Sequence, residues 1–75
     1  MRIVTWNVNG IRAAIRKGFD KFVDRIDADI WMLQEVRCLP EQLPPKWTPP
    51  KGSEMILHPA EKKGYSGVST ISRLD

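Results

Sequence analysis

Seventy-five residues suffice for one small domain at most, and a core of that size is marginal. The net charge of +3 permits phosphate-rich partners without establishing them. A single cysteine, Cys38, excludes a disulfide framework and suits a reducing compartment, cytoplasmic or nuclear.

Further classes fall away on pattern. No apolar run reaches the roughly 18 residues that a membrane span needs. The N-terminus enters a strand at once, without the charged-then-apolar leader of a secreted protein. A hydrophobic content of 41% argues against disorder. Cys38 has no set of partners around it in the sequence, so it is expected as an ordinary loop residue and not a nucleophile.

The first predicted element is a strand over "MRIVTWNV", where Ile3, Val4, Trp6 and Val8 fit a strand covered on both faces. It exits through two amides, Asn7 and Asn9, which share a face if the strand runs that far. Buried and unpaired, each amide would cost about 1–3 kcal/mol, so they face water or something polar. After Gly10 a helical pattern begins. Ile11, Ile15, Phe22 and Ile26 fall within about 60° of one another at helical period, with Phe19 nearby. Gly18 is expected to split the pattern into two short helices.

"ADIWMLQE" is the second predicted strand. Strand, helix and strand make a βαβ unit, which predicts parallel pairing. Residues 38–53 carry Pro40, Pro44, Pro45, Pro49 and Pro50 and are expected as a surface loop, with one helical turn around Glu41–Leu43. "SEMILHPA" and "SGVSTISR" read as two further strands, joined by a turn at "EKKGY". Two extra strands on a βαβ unit leave exposed edges and one bare sheet face. The expected class is therefore α/β, residues 1–75 being the front part of a larger domain.

In open α/β sheets the functional crevice lies beyond the carboxyl ends of the parallel strands. There the first strand delivers Asn7 and Asn9 and the second delivers Gln34 and Glu35. Glutamate is a hard oxygen ligand suited to Mg²⁺, and an asparagine can donate to a phosphate oxygen. On spacing alone Glu35 more simply ends a strand in solvent, since strand ends are often charged. Arg12, Arg16, Lys17 and Lys21 follow directly and suit either a phosphate site or a solvated helix face. Lys62, Lys63, Gly64 and Tyr65 form a second basic turn, open to the same two readings. His58 is expected to be structural. Trp6 and Trp31 are expected to pack; Trp47 packs or meets a partner.

Taken in order, "IVTWNVNGIR", "ADIWMLQEVR" and "KKGYSGVSTISR" resemble the start of exodeoxyribonuclease III-type AP endonucleases of the endonuclease/exonuclease/phosphatase superfamily. The proline-rich loop is the least similar part. The resemblance implies the N-terminal portion of a four-layer α/β sandwich, monomeric at full length. It implies a Mg²⁺-dependent (or Mn²⁺-dependent) hydrolase acting on double-stranded DNA with abasic or damaged sites. Such enzymes cut the phosphodiester 5′ to the abasic site, and some remove 3′ groups or nucleotides.

By position, Glu35 matches the family's metal-binding glutamate, and Asn7 the asparagine that organises the metal and phosphate. Arg12, Ala13, Lys17, Gly64 and Tyr65 match residues that meet DNA. Two departures stand out. Asn9 brings no carboxylate, and Arg37 replaces a common lysine, so both enter as site-lining candidates. The family's later tyrosine, Asp-x-Asn and Asp-His motifs have no counterpart here, so the 75 residues alone are expected to be inactive. Two alternatives stay open: a phosphatase-type superfamily member, or a basic module that binds nucleic acid without catalysis.

Overall fold

A computed structural model describes residues 1–59 and 67–73. The elements in chain order are strand β1 (Ile3–Asn7), helices α1 (Ile11–Arg16) and α2 (Phe19–Ile26), and strand β2 (Ile30–Gln34). A 3₁₀ turn (Pro40–Gln42), strand β3 (Glu54–Pro59) and strand β4 (Gly67–Ser72) complete them. They form one mixed sheet of order β1-β2-β4-β3. β1 and β2 pair in parallel, as a βαβ unit requires. β4 inserts between β2 and β3 and is antiparallel to both.

The two faces of the sheet differ because side chains alternate along each strand. Two rows run across all four strands on the covered face. One is Val4, Trp31, Ile71 and Met55; the other is Trp6, Leu33, Ser69 and Leu57. Ile11, Phe19 and Val23 of the helices pack with these rows. Ser69 is the buried polar residue there, and its hydroxyl donates to the Ile56 carbonyl at 2.9 Å. That bond removes the penalty of an unmet hydroxyl.

Gly18 does split the helical pattern, and the split changes which residues are buried. Its φ of 108° starts α2 on a new axis, so the single stripe expected from Ile11 to Ile26 does not continue. Phe19 and Val23 take the core positions, with Phe19 1% exposed. Phe22 remains 40% exposed and lies over Trp6 and Trp31, with ring centroids 4.9 and 5.9 Å away. The expected helical turn around Glu41–Leu43 forms one residue earlier, where Pro40 supplies the fixed φ of a helix start. Trp47 packs edge-on against Phe19, and its indole N–H donates to Asp20 at 2.9 Å. The proline-rich loop is thus fastened to α2. Cys38 is buried, its thiol pushed up in pKa first by desolvation.

The end of the sheet where β2 begins is tied by charge. The Arg2 backbone N–H donates to Asp29 at 2.8 Å, and the Arg73 guanidinium reaches Asp27 at 2.6 Å and Asp29 at 2.8 Å. The Arg2 N–H, and then the Arg73 guanidinium, hold the Asp29 carboxyl below its ordinary pKa. A depressed folded pKa stabilises the native state above the unfolded value, about pH 4. That contribution is lost as pH falls through the folded pKa. Asp29→Asn is therefore expected to lower Tm at pH 7, with the gap to wild type closing as the pH drops below about 4. Thermal melts across pH 2–7 check this, and a pH-independent gap contradicts it. For the helices, Phe19→Ala is expected to cost about 3–5 kcal/mol and Phe22→Ala about 1 kcal/mol in urea unfolding. Equal losses would contradict the rotated packing.

Candidate phosphate and metal site

β1 ends at Asn7 opposite Gln34, the last residue of β2. The two chains stay zipped beyond their strand ends. The Val8 N–H donates to the Gln34 carbonyl at 3.1 Å, Gly10 N–H to Glu35 at 2.8 Å and Ile11 N–H to Val36 at 3.0 Å. Val36 N–H in turn donates to the Gly67 carbonyl at the start of β4 at 3.1 Å. Val36 is buried, 1% exposed. Its neighbours Glu35 and Arg37 sit at φ 50° and 52°, left-handed values that non-glycine residues seldom adopt. This backbone turns both side chains outward on either side of the buried valine.

The side chains meet as a short network. The Asn7 amide N–H₂ donates to Glu35 Oε2. Arg37 Nη2 donates to Glu35 Oε1 at 2.7 Å. Each carboxylate oxygen therefore holds one donor, and a carboxylate keeps further lone pairs on both. Asn7 also accepts, through Oδ1, from the Asn9 backbone N–H at 3.0 Å. Asn9 does not share the Asn7 face. The strand has ended, and Asn9 turns at φ 49° to lead into Gly10 at φ 93°. Its backbone fixes the Asn7 amide, so its role in the network is carried by the main chain. An asparagine-then-glycine turn after a strand is the sequence signal for this geometry.

Beside the network lies an open groove of about 350 Å³ lined by Gly10, Arg12, Ala13, Arg16 and Arg37. Arg12 donates to the Arg37 carbonyl at 3.4 Å, which links α1 to the segment after β2. Of the expected DNA-contacting residues, Arg12 and Ala13 line this groove. Arg16 lines it too. Lys17 caps the end of α1 and lies outside the lining. Gly64 and Tyr65, with Lys62 and Lys63, lie outside the described residues. His58 is exposed near the end of β3, the strand at the far edge of the sheet from β1.

The donor set admits a hard divalent cation. Glu35 supplies one carboxylate and Asn7 one amide, and Mg²⁺ takes one or two carboxylates with water and phosphate oxygens. Among the described residues no group of three or more His, Cys, Asp or Glu side chains could hold a metal unaided. The arrangement thus suits a cation shared with a phosphate, next to three guanidinium groups.

Known proteins resemble the chain in sequence and in fold. The chain is 33% identical over 73 residues to a Dictyostelium discoideum DNA-(apurinic or apyrimidinic site) endonuclease, covering 97% of this chain and 20% of that protein. It is 38% identical over 74 residues to a Bacillus subtilis exodeoxyribonuclease, covering 97% and 28%. Among solved structures, the catalytic domain of Xenopus laevis APE2 superposes with a TM-score of 0.76 at 38% identity, covering 96% of this chain and 23% of that one. A Neisseria meningitidis 3′-5′ exonuclease superposes at 0.77 with 27% identity, covering 97% and 27%. The chain therefore spans between a fifth and somewhat over a quarter of the length of these two curated relatives. Residues 4–75, which include both helices, all of β2, β3 and β4 and all of β1 but its first residue, together with the Asn7–Glu35–Arg37 network, match the endonuclease/exonuclease/phosphatase family, and the chain belongs to that family.

Proposed function

We propose that the chain is the N-terminal part, residues 1–75, of a DNA repair nuclease that hydrolyses a phosphodiester 5′ to abasic sites with the help of Mg²⁺. The observation that carries this reading is the meeting of Asn7 and Glu35 beside the arginine groove. The relatives' names, which speak of apurinic-site endonuclease and exodeoxyribonuclease, support it.

Each residue then has a task. Glu35 would hold the cation through its carboxylate, and Asn7, which holds Glu35 in place, would offer its amide to the same site. A bound divalent cation supplies charge stabilisation at the scissile phosphate. Arg12, Arg16 and the backbone at Ala13 hold the DNA phosphates on the groove side, with Lys17 at its margin. The nucleophile is water, and the groups that activate it lie outside these 75 residues. The chain alone is accordingly expected to give no turnover.

Two measurements test the reading. A chain extended to the length of its relatives is expected to incise a duplex carrying one abasic analogue with Mg²⁺ and not with chelator. Glu35→Gln in that protein is expected to lower the rate at least about 100-fold. Incision unaffected by chelator or by Glu35→Gln defeats the metal assignment, and incision by the 75-residue chain itself defeats the expected inactivity. In binding to undamaged duplex, Arg12→Ala is expected to lower the slope of log affinity against log salt by about 1. An unchanged slope removes Arg12 from the phosphate contacts.

A further inference from the structure

We propose that Arg37 is a tethered counter-cation for Glu35, which yields the carboxylate when a divalent cation binds and so sets how tightly that cation is held. The inference deepens the function proposed above and rests on its assignment of Glu35 to a cation. Three observations lead to it. First, Arg37 Nη2 lies 2.7 Å from Glu35 Oε1, on the oxygen that Asn7 leaves open, since the Asn7 amide takes Oε2. A cation approaching Oε1 meets a guanidinium already there, and two positive charges on one oxygen repel.

Second, the geometry places Arg37 for this contact and for release from it. Both residues hold left-handed backbone conformations on either side of buried Val36, so their separation is fixed by the main chain. The guanidinium uses one nitrogen on the carboxylate, and the residue also lines the open groove with Arg12 and Arg16. A side-chain rotation thus carries it from the carboxylate to the groove. Third, the pair is weak enough to exchange. Its side chains are 48% and 35% exposed, and exposed ion pairs are worth about a two- to fivefold effect on an equilibrium.

The expected consequence has the opposite sign to that of a structural support. Removing a supporting residue loosens a metal site, whereas removing a competitor tightens it. In the chain extended to the length of its relatives, Mn²⁺ binding is to be followed by electron paramagnetic resonance of the free ion. Arg37→Gln is expected to tighten Mn²⁺ binding about two- to fivefold. Arg37→Lys, which keeps a charge on a more flexible stem, is expected to lie between that variant and wild type. Glu35→Gln is expected to abolish the site in either background. In a separate measurement, titrating wild-type protein with Mg²⁺ is expected to move the Arg37 side-chain Nε–H resonance saturably.

An Arg37→Gln protein with unchanged or weaker Mn²⁺ affinity, while Glu35→Gln still abolishes binding, overturns the proposal and leaves the metal assignment standing. A stationary Arg37 resonance under saturating Mg²⁺ overturns it likewise. Mn²⁺ binding that survives Glu35→Gln defeats the metal assignment itself, and this proposal with it.

Discussion

The site depends on how Val36 is held. Its side chain is in the core, its N–H is bonded to the start of β4 and its carbonyl to the start of α1. Three pieces of the chain that are remote in sequence thus converge on one residue. The two neighbours of Val36 adopt left-handed backbone, which costs a non-glycine residue about 1–2 kcal/mol. The hydrogen bonds from Gly10, Ile11 and Val36, each worth about 0.5–1.5 kcal/mol, offset that cost. Without the buried anchor, Glu35 and Arg37 would have no reason to stay in so rare a conformation, and Asn7 would lose its partner. Strain kept in this way sits at positions where a side chain must be aimed.

The same anchor decides where positive potential comes from. α1 begins at Ile11, whose N–H is already used by the Val36 carbonyl, so that helix end has one donor fewer to offer. A helix of six residues has a small dipole, so its start adds little beyond the first-turn N–H at Ala13. The attraction comes from guanidinium groups instead: Arg12 and Arg16 one turn apart on α1, and Arg37 from the segment after β2. Their mutual repulsion is relieved within the network by one carboxylate, Glu35. A phosphate entering the groove would relieve it further, so the electrostatics favour an anionic ligand even though the chain's net charge is small.

Local pattern made much of this legible. Two apolar runs separated by a helical stripe identify β1, the helices and β2, and a strand leaving through Asn7 marks the end of the sheet that holds the network. The break at Gly18 was visible because glycine weakens a helix wherever it stands. Its effect on burial was not, because periodicity cannot measure the new axis that a φ of 108° sets. The placement of β4 between β2 and β3 was hidden for a different reason: pairing of non-consecutive strands leaves no local trace. The left-handed turns at Glu35 and Arg37 had no signal either. Neither residue type favours that conformation, which is imposed by tertiary bonds to Val36. Trp47 offered two readings, and only its hydrogen bond to Asp20 and contact with Phe19 decide for packing.

The uncovered sheet face bears on the site through Asn7. Alternation puts Asn7 on the side of Ile3 and Thr5, away from the helices. On that side Thr5, Met32, Thr70 and Ile56 form one row across all four strands. Ile3, Met32, Ile56 and Val68 are all exposed there, and apolar surface of this extent is normally covered in a stable domain. The arginine groove, by contrast, is built on α1, on the helix side. The Asn7–Glu35 contact therefore straddles the end of the sheet, one partner belonging to the bare face and the other to the turn that leads back towards the helices. Any element that covers the bare face approaches Asn7 from the side opposite the arginines. A phosphate held in the groove lies on the arginine side of the Asn7–Glu35 contact.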